Sequence, residues 1–217
     1  NYELHKGLWS GHNDHNYFEI AHTMRRLQGL CHETRLYNFS DNHDVERLPN
    51  KLRNREHIRH IALLVYTLWG IPSIYYGSEF GIEGKKEWGS DWPLRPCLDL
   101  EEFKDAADTN PVTSVYAALG RLKAECPELT WGEVKELHLT TQCYAYARVL
   151  DGEAIVAVLN NGDSPAQMEF QLPVEASAAE DLLADCVGSQ PILTSIEWNR
   201  MKVQLPSNCA TLLRLKK

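Results

Sequence analysis

No apolar run in this chain approaches the ~20 residues needed to span a bilayer. The longest, from Ile61 through Tyr66 and on to Trp69, is broken at Gly70 and Pro72. It reads as core. Cysteine is sparse and scattered: Cys31, Cys97, Cys126, Cys143, Cys186 and Cys209 contain no Cys-x-x-Cys pair. That spacing excludes a zinc ribbon and a dense disulfide framework, and leaves reduced thiols and a lean toward the cytoplasm. Basic charge is short as well. The 22 Lys and Arg stand against 30 Asp and Glu, a formal net charge of −8, and a nucleic acid or an anionic membrane would be repelled. Internal repeats and low-complexity tracts are missing. So are an initial Met, a basic n-region and an apolar h-region; the opening at Asn1 reads as a cut end, with secretion of a parent protein left open.

What is present suits a packed protein. Hydrophobic residues make up 43% and charged residues 24% of 217, enough for one large or two small domains. From Asn1 to about residue 130, short apolar strands alternate with helical patterns. Phe18, Ile20, Ala21, Met24 and Leu27 predict a helix over Tyr17–Gly29, with Gly29 at its C′ position. Thr34–Phe39 reads as a strand, Arg55–Trp69 as a helix stopped by Gly70 and Pro72, and Ser73–Tyr76 as a buried strand. Pro111 opens a third helix over Val112–Ala124. That alternation predicts an α/β unit with a parallel sheet. From residue 131 to 217 the texture changes to strands at Val134–Thr140, Cys143–Leu150, Glu153–Asn160, Ala166–Leu172, Lys202–Leu205 and Thr211–Leu215. Turn signals such as Asp151-Gly152 and Asn161-Gly162-Asp163 punctuate them. An antiparallel β-sandwich is expected there.

The stretch richest in chemistry is Phe39-Ser40-Asp41-Asn42-His43-Asp44, followed by Arg47. A strand ending in Asn-His-Asp places three polar groups at its C-terminal mouth, the face of a parallel α/β barrel where catalysis sits. This motif resembles barrel strand 7 of the α-amylase family, glycoside hydrolase family 13. Thr67-Leu68-Trp69-Gly70-Ile71-Pro72-Ser73-Ile74-Tyr75-Tyr76-Gly77-Ser78-Glu79-Phe80-Gly81 is similar to that family's helix 7 and strand 8. Asn1–Leu8 and Asn13–Glu19 resemble strand 6 and the start of helix 6, nearest to the neopullulanase, cyclomaltodextrinase and maltogenic amylase group. Gly89–Pro96 resembles a loop after strand 8, except that Trp92 stands between Asp91 and Pro93 where that group has Asp-Pro. The β-rich tail matches domain C in position and size.

The resemblance implies the last three βα units of a (β/α)8 TIM barrel, residues 1–130, followed by a domain C sandwich, residues 131–217. It implies retaining cleavage or transfer of α-glucosidic links in maltodextrin-like glucans. Two carboxyls must then flank the glycosidic bond, and a third favours the distorted, oxocarbenium-like ring. Asp44 takes that third role. The candidate substrate-binding set is Asn42, His43, Arg47, Asp91 and Arg95. The family's nucleophile segment, Arg-x-Asp, and its acid Glu lie at strands 4 and 5, and neither segment occurs here. The chain alone is expected to be incomplete and inactive. Its expected partners are an oligosaccharide and either a missing N-terminal barrel half or a second copy at the strand 6 edge. A family member without catalysis, serving as a carbohydrate-binding or transporter-associated subunit, is the alternative.

Plainer readings stand beside these. Arg47 either orients Asp44 or pairs with another carboxylate, and His43 has the alternative of a core hydrogen-bonder. Glu79 reads as structural. Trp88 and Trp92 suit stacking on sugar faces or plugging a loop. His12, His15, His57 and His60 have spacings a metal could use, but no carboxylate or thiolate completes a site, so solvated or core histidines are expected. The family often binds calcium, through ligands that lie mainly upstream. No oxygen-rich loop occurs here, and no cofactor is expected in this segment.

Overall fold

The computed structural model describes residues 1–31, 34–188 and 190–217, with Asp185 given by its backbone. Two helices come first, α1 (Tyr2–Asn13) and α2 (Tyr17–Leu30). Then follow β1 (Tyr37–Asn38), α3 (Leu48–Lys51), α4 (His57–Thr67) and β2 (Ile71–Pro72). After a long loop bearing three short 3-10 turns come α5 (Ala106–Thr109), α6 (Pro111–Glu125) and α7 (Pro127–Trp131). The remainder is β3 (Glu133–Leu139), β4 (Cys143–Leu150), β5 (Glu153–Asn160), β6 (Ala166–Gln171), β7 (Ala178–Asp181), α8 (Leu182–Val187), β8 (Leu193–Glu197), β9 (Arg200–Leu205) and β10 (Cys209–Lys216).

The strand expected over Asn1–Leu8 is instead the first two turns of α1. Residues 2–13 contain no Val, Ile or Thr, while Leu4, Leu8 and His12 recur every four residues and are buried, which is a helical stripe. Asn1 caps it by accepting from the Leu4 N–H at 3.2 Å. Two parallel strands therefore stand where three were expected, Tyr37 opposite Ile71 and Asn38 opposite Pro72. Each has only two residues, because neither has a second strand beside it among the described residues and Pro72 has no N–H to give. The second of them ends before the Ser73–Tyr76 segment expected to form it. Gly70, at φ +138°, makes the turn into it, and a Cβ there would stand 2.7 Å from the Leu36 carbonyl oxygen. Gly29 lies inside α2 rather than beyond it, and Cys31 is the C-cap.

The β half is two sheets, one of five strands in the order β3-β4-β5-β10-β7 and one of three in the order β6-β9-β8. Asp151 (φ +50°) and Gly152 (φ +81°) form the β4–β5 turn, the positive-φ pair that the strand twist favours. β7, α8 and β8 were not legible in the sequence pattern. The five-stranded sheet is covered on both faces, and the period of two decides which residue goes where. Ala145, Ala147, Val156 and Val158 meet Met168, Phe170, Met201 and Val203 of the small sheet. Tyr144, Tyr146, Ile155, Ala157 and Leu159 face the other way and share a core with Ile61, Leu64, Val65 and Leu119 of α4 and α6. The boundary placed at 130/131 falls inside α7. Arg148, 1% exposed, ties this region together: its guanidinium donates to the Gly132 carbonyl at 2.9 and 3.1 Å and to the Thr67 carbonyl.

Candidate active site

The residue run after β1 dives before it emerges. Phe39, Ser40 and Asp41 are buried, with the Phe39 ring stacked on His5 at 5.3 Å and the Ser40 carbonyl bonded to His5 Nδ1 at 2.7 Å. The Asp41 carboxylate accepts from the Leu48 N–H at 2.9 Å and from the Ser78 hydroxyl at 2.5 Å. Asn42 then closes an Asx turn, its Oδ1 accepting from the Asp44 N–H at 2.8 Å, while its Nδ2 donates to the Tyr2 hydroxyl at 3.1 Å. The chain is thus pinned on either side of residues 42–44, which are presented at the strand's mouth.

Asp44 is about half exposed, its carboxylate 3.3 Å from His43 Nε2 and 3.3 Å from the Arg95 guanidinium. Arg95 also donates to the His43 carbonyl at 3.1 Å and lies 3.6 Å from the Asp91 carboxylate. Asp91 is further paired with Lys86 at 3.1 Å. The structure therefore gathers Asn42, His43, Asp44, Asp91 and Arg95 into one cluster. The Tyr75 ring lies 6.3 Å from that of His43. A groove of ≈ 400 Å³ runs beside the cluster, lined by Gly89, Ser90, Asp91, Trp92 and Arg95. Trp92 is 80% exposed and Trp88 wholly so, so neither plugs the loop.

Arg47 is not brought to this cluster. It is fully buried, and its guanidinium donates to the carbonyls of Tyr76 at 2.8 Å and Leu94 at 2.9 Å while lying 4.1 Å from the Tyr75 ring centre. It neither orients Asp44 nor stands in reach of a sugar; it bolts the loop after β2 to the loop after β1. A guanidinium has five donors in a rigid fork, which suits bridging two backbone segments. Glu79, also taken as structural, sits partly buried with its carbonyl accepting from Thr113 at 2.9 Å.

Asp41, Lys86 and Tyr75 were not singled out in the sequence. Asp41 lay inside the informative stretch, but its role depends on Ser78, 37 residues away. His12, His57 and His60 do come together, with ring centres 5.1–5.7 Å apart. Four of their nitrogens meet the Leu8 carbonyl, the Tyr17 hydroxyl or the Asn208 side chain, while His57 Nδ1 and His60 Nε2 have no hydrogen-bond partner among the described residues. Among the described residues, no group of three or more His, Cys, Asp or Glu is arranged to hold a metal, and no helix is long and apolar enough to cross a membrane.

A half-exposed carboxylate held between an imidazole and a guanidinium can bond hydroxyls and stabilise adjacent positive charge. Aromatic faces beside it suit the apolar face of a ring. Residues 6–141, more than half of the chain, match the family model described as the alpha-amylase catalytic domain. The chain is 30% identical over 149 residues, 68% of its length, to a cyclomaltodextrinase of Thermoanaerobacter pseudethanolicus, and covers 24% of that protein. It is 31% identical over 141 residues, 64% of its length, to neopullulanase 2 of Thermoactinomyces vulgaris, covering 23% of it. It thus spans about a quarter of the curated relatives it matches. In fold it superposes on an α-amylase from Malbranchea cinnamomea with a TM-score of 0.81 at 19% identity, over 99% of this chain and 45% of that one. The chain belongs to the α-amylase catalytic-domain family.

Proposed function

We propose that this chain contributes the third, assisting carboxylate, Asp44, to an enzyme that cleaves or transfers α-glucosidic links in maltodextrin-like glucans with retention of configuration. The observation that carries this reading is the seating of Asp44, half exposed between His43 and Arg95 on a turn fixed by Asn42, at the end of a parallel strand. As positive charge develops on the sugar ring, a carboxylate already held in place costs no reorganisation, so its attraction lowers the barrier. His43 and Arg95 donate to hydroxyls, Asp91 accepts from them, and Trp92 offers a flat face. Similar proteins carry the names cyclomaltodextrinase and neopullulanase 2, which supports an α-glucan substrate.

The nucleophile and acid are not among the residues of this sequence, and a partner segment supplies them: an N-terminal barrel half that pairs with the open edges of β1 and β2. The test joins this chain to such a segment, from its own reading frame or from the cyclomaltodextrinase, and measures reducing sugar released from maltoheptaose. Asp44→Asn is expected to lower kcat about 10³-fold, a loss of the order seen when one preorganised electrostatic group is removed. Because Asp44 is half exposed, Tm should hardly move. Activity of the variant within threefold of the parent would sink the assignment, and glucan hydrolysis by the chain unaided would sink the need for a partner.

A further inference from the structure

The outer face of the three-stranded sheet carries a feature that the Asp44 cluster does not use. Trp198 is 94% exposed at the tip of the β8–β9 hairpin. Its φ is +54° and that of Asn199 is +58°, so a bulky residue occupies a left-handed turn position that glycine or asparagine takes far more easily. Packing returns nothing for that strain, because the indole is almost wholly in solvent. Two hydrogen bonds pin the turn. Asn199 accepts from the Ala176 N–H at 3.1 Å, and its carbonyl accepts from the Leu172 N–H at 2.9 Å.

Behind the indole the exposed face of the sheet is mostly polar. Glu169, Lys202 and Ser195 stand abreast across three strands, and Gln167, Gln204 and Leu193 form the next row. Arg200 pairs with Glu169 at 3.0 Å. Two adjoining hollows of ≈ 130 and ≈ 210 Å³ share Ser195 and Lys202 and run from Trp198 toward Gln204. The charges of Arg200 and Lys202 are matched by Glu169 and Glu197, so the face is neutral and fits an uncharged ligand. Amide, carboxylate and guanidinium groups each bond two adjacent hydroxyls, and an exposed indole covers the apolar face of a ring.

We propose that this face is a second carbohydrate-binding surface, which takes an uncharged α-glucan chain with one glucose unit stacked on Trp198 and the next lying along Ser195, Lys202 and Gln204. It rests on the α-glucan reading above only for the choice of sugar. It would hold a long substrate on the chain while the Asp44 cluster works elsewhere on the molecule.

The experiment is affinity electrophoresis of the 217-residue chain in native gels containing amylopectin, with gels containing barley β-glucan or no polysaccharide beside them. Retardation by amylopectin alone is expected, with Trp198→Asn raising the dissociation constant roughly tenfold or more, as loss of an aromatic anchor does. Trp198→Asn should melt at the same temperature or higher, since asparagine accepts the turn. A parent chain that runs freely through amylopectin overturns the proposal, as does equal retardation of Trp198→Asn, stronger binding to β-glucan, or a lower melting temperature for the variant. None of these results touches the role of Asp44, which the turnover assay decides separately.

Discussion

The buried histidines make this chain acid-labile in a pH window that carboxylates do not reach. His60 lies within the core between α1, α4 and the Asn208 loop, 2% exposed, and burial, followed by the nearby His57, lowers its pKa from 6.5 to about 3. Burial also pushes His12 well below the ordinary range and lowers His57. The charged neighbours are few: Arg59 disfavours a proton on His60, and Asp163 favours one on His57. His15, beside His57, and the Tyr17 hydroxyl, bonded to His12 and His60, complete the surroundings. A folded-state pKa below the unfolded value means the unfolded chain binds more protons. The stability contributed is therefore complete above pH 6.5 and is lost as pH falls toward the folded value. At pH 5.5 an unfolded histidine is about nine-tenths protonated and the folded His60 is not, so His60 alone costs about 1.4 kcal/mol relative to pH 7.5. Any folded pKa below about 4.5 gives that same figure, because the unfolded value sets it. His12 and His57 act in the same direction. Urea unfolding at the two pH values should show the midpoint falling by at least about 0.5 M in the parent, and His60→Leu should lose markedly less stability between them. The reasoning fails if His60→Leu declines as steeply as the parent, whatever its stability at pH 7.5.

Arg148→Ala should cost about 3 kcal/mol or more in urea unfolding, since it strips the Gly132 and Thr67 carbonyls of buried donors that nothing else replaces. Arg148→Lys should recover less than half of that, because one ammonium lacks the fork that reaches both carbonyls. Gly70→Ala should lower stability by roughly 2–3 kcal/mol, as its Cβ would meet the Asn38 side chain at 2.5 Å and the Leu36 carbonyl at 2.7 Å in a left-handed backbone. Gly29→Ala, inside α2 where an added Cβ would meet no other described side chain within 4 Å, should instead be neutral or stabilising by a few tenths of a kcal/mol. Equal effects of the two glycine changes in thermal melts would refute the steric argument.

The sequence by itself determined the parts of this protein that are local. The β-forming runs Cys143–Leu150 and Glu153–Asn160 and the Asp151-Gly152 turn between them mark the β4–β5 hairpin without any distant contact. Pro111 and the capping Asn110 fix the start of α6 in the same way. The run Asn42-His43-Asp44 marked a candidate site through its resemblance to a family motif, and the structure presents these residues together after β1. Tertiary structure decided the rest. Asn1–Leu8 resembles a strand segment of the family, yet Leu4 and Leu8 can bury as one helical face against α2 and α4, and that burial sets the conformation here. Arg47 sits beside the motif in sequence but points to carbonyls 29 and 47 residues away, a choice that nothing within a few residues could encode. The histidines read as solvated or core became one packed cluster only because α1, α4 and the Asn208 loop converge. Local propensity and turn chemistry act within a few residues and so can be read along the chain. Burial of a charge or an imidazole depends on which segments meet, and that is known only once the chain has folded.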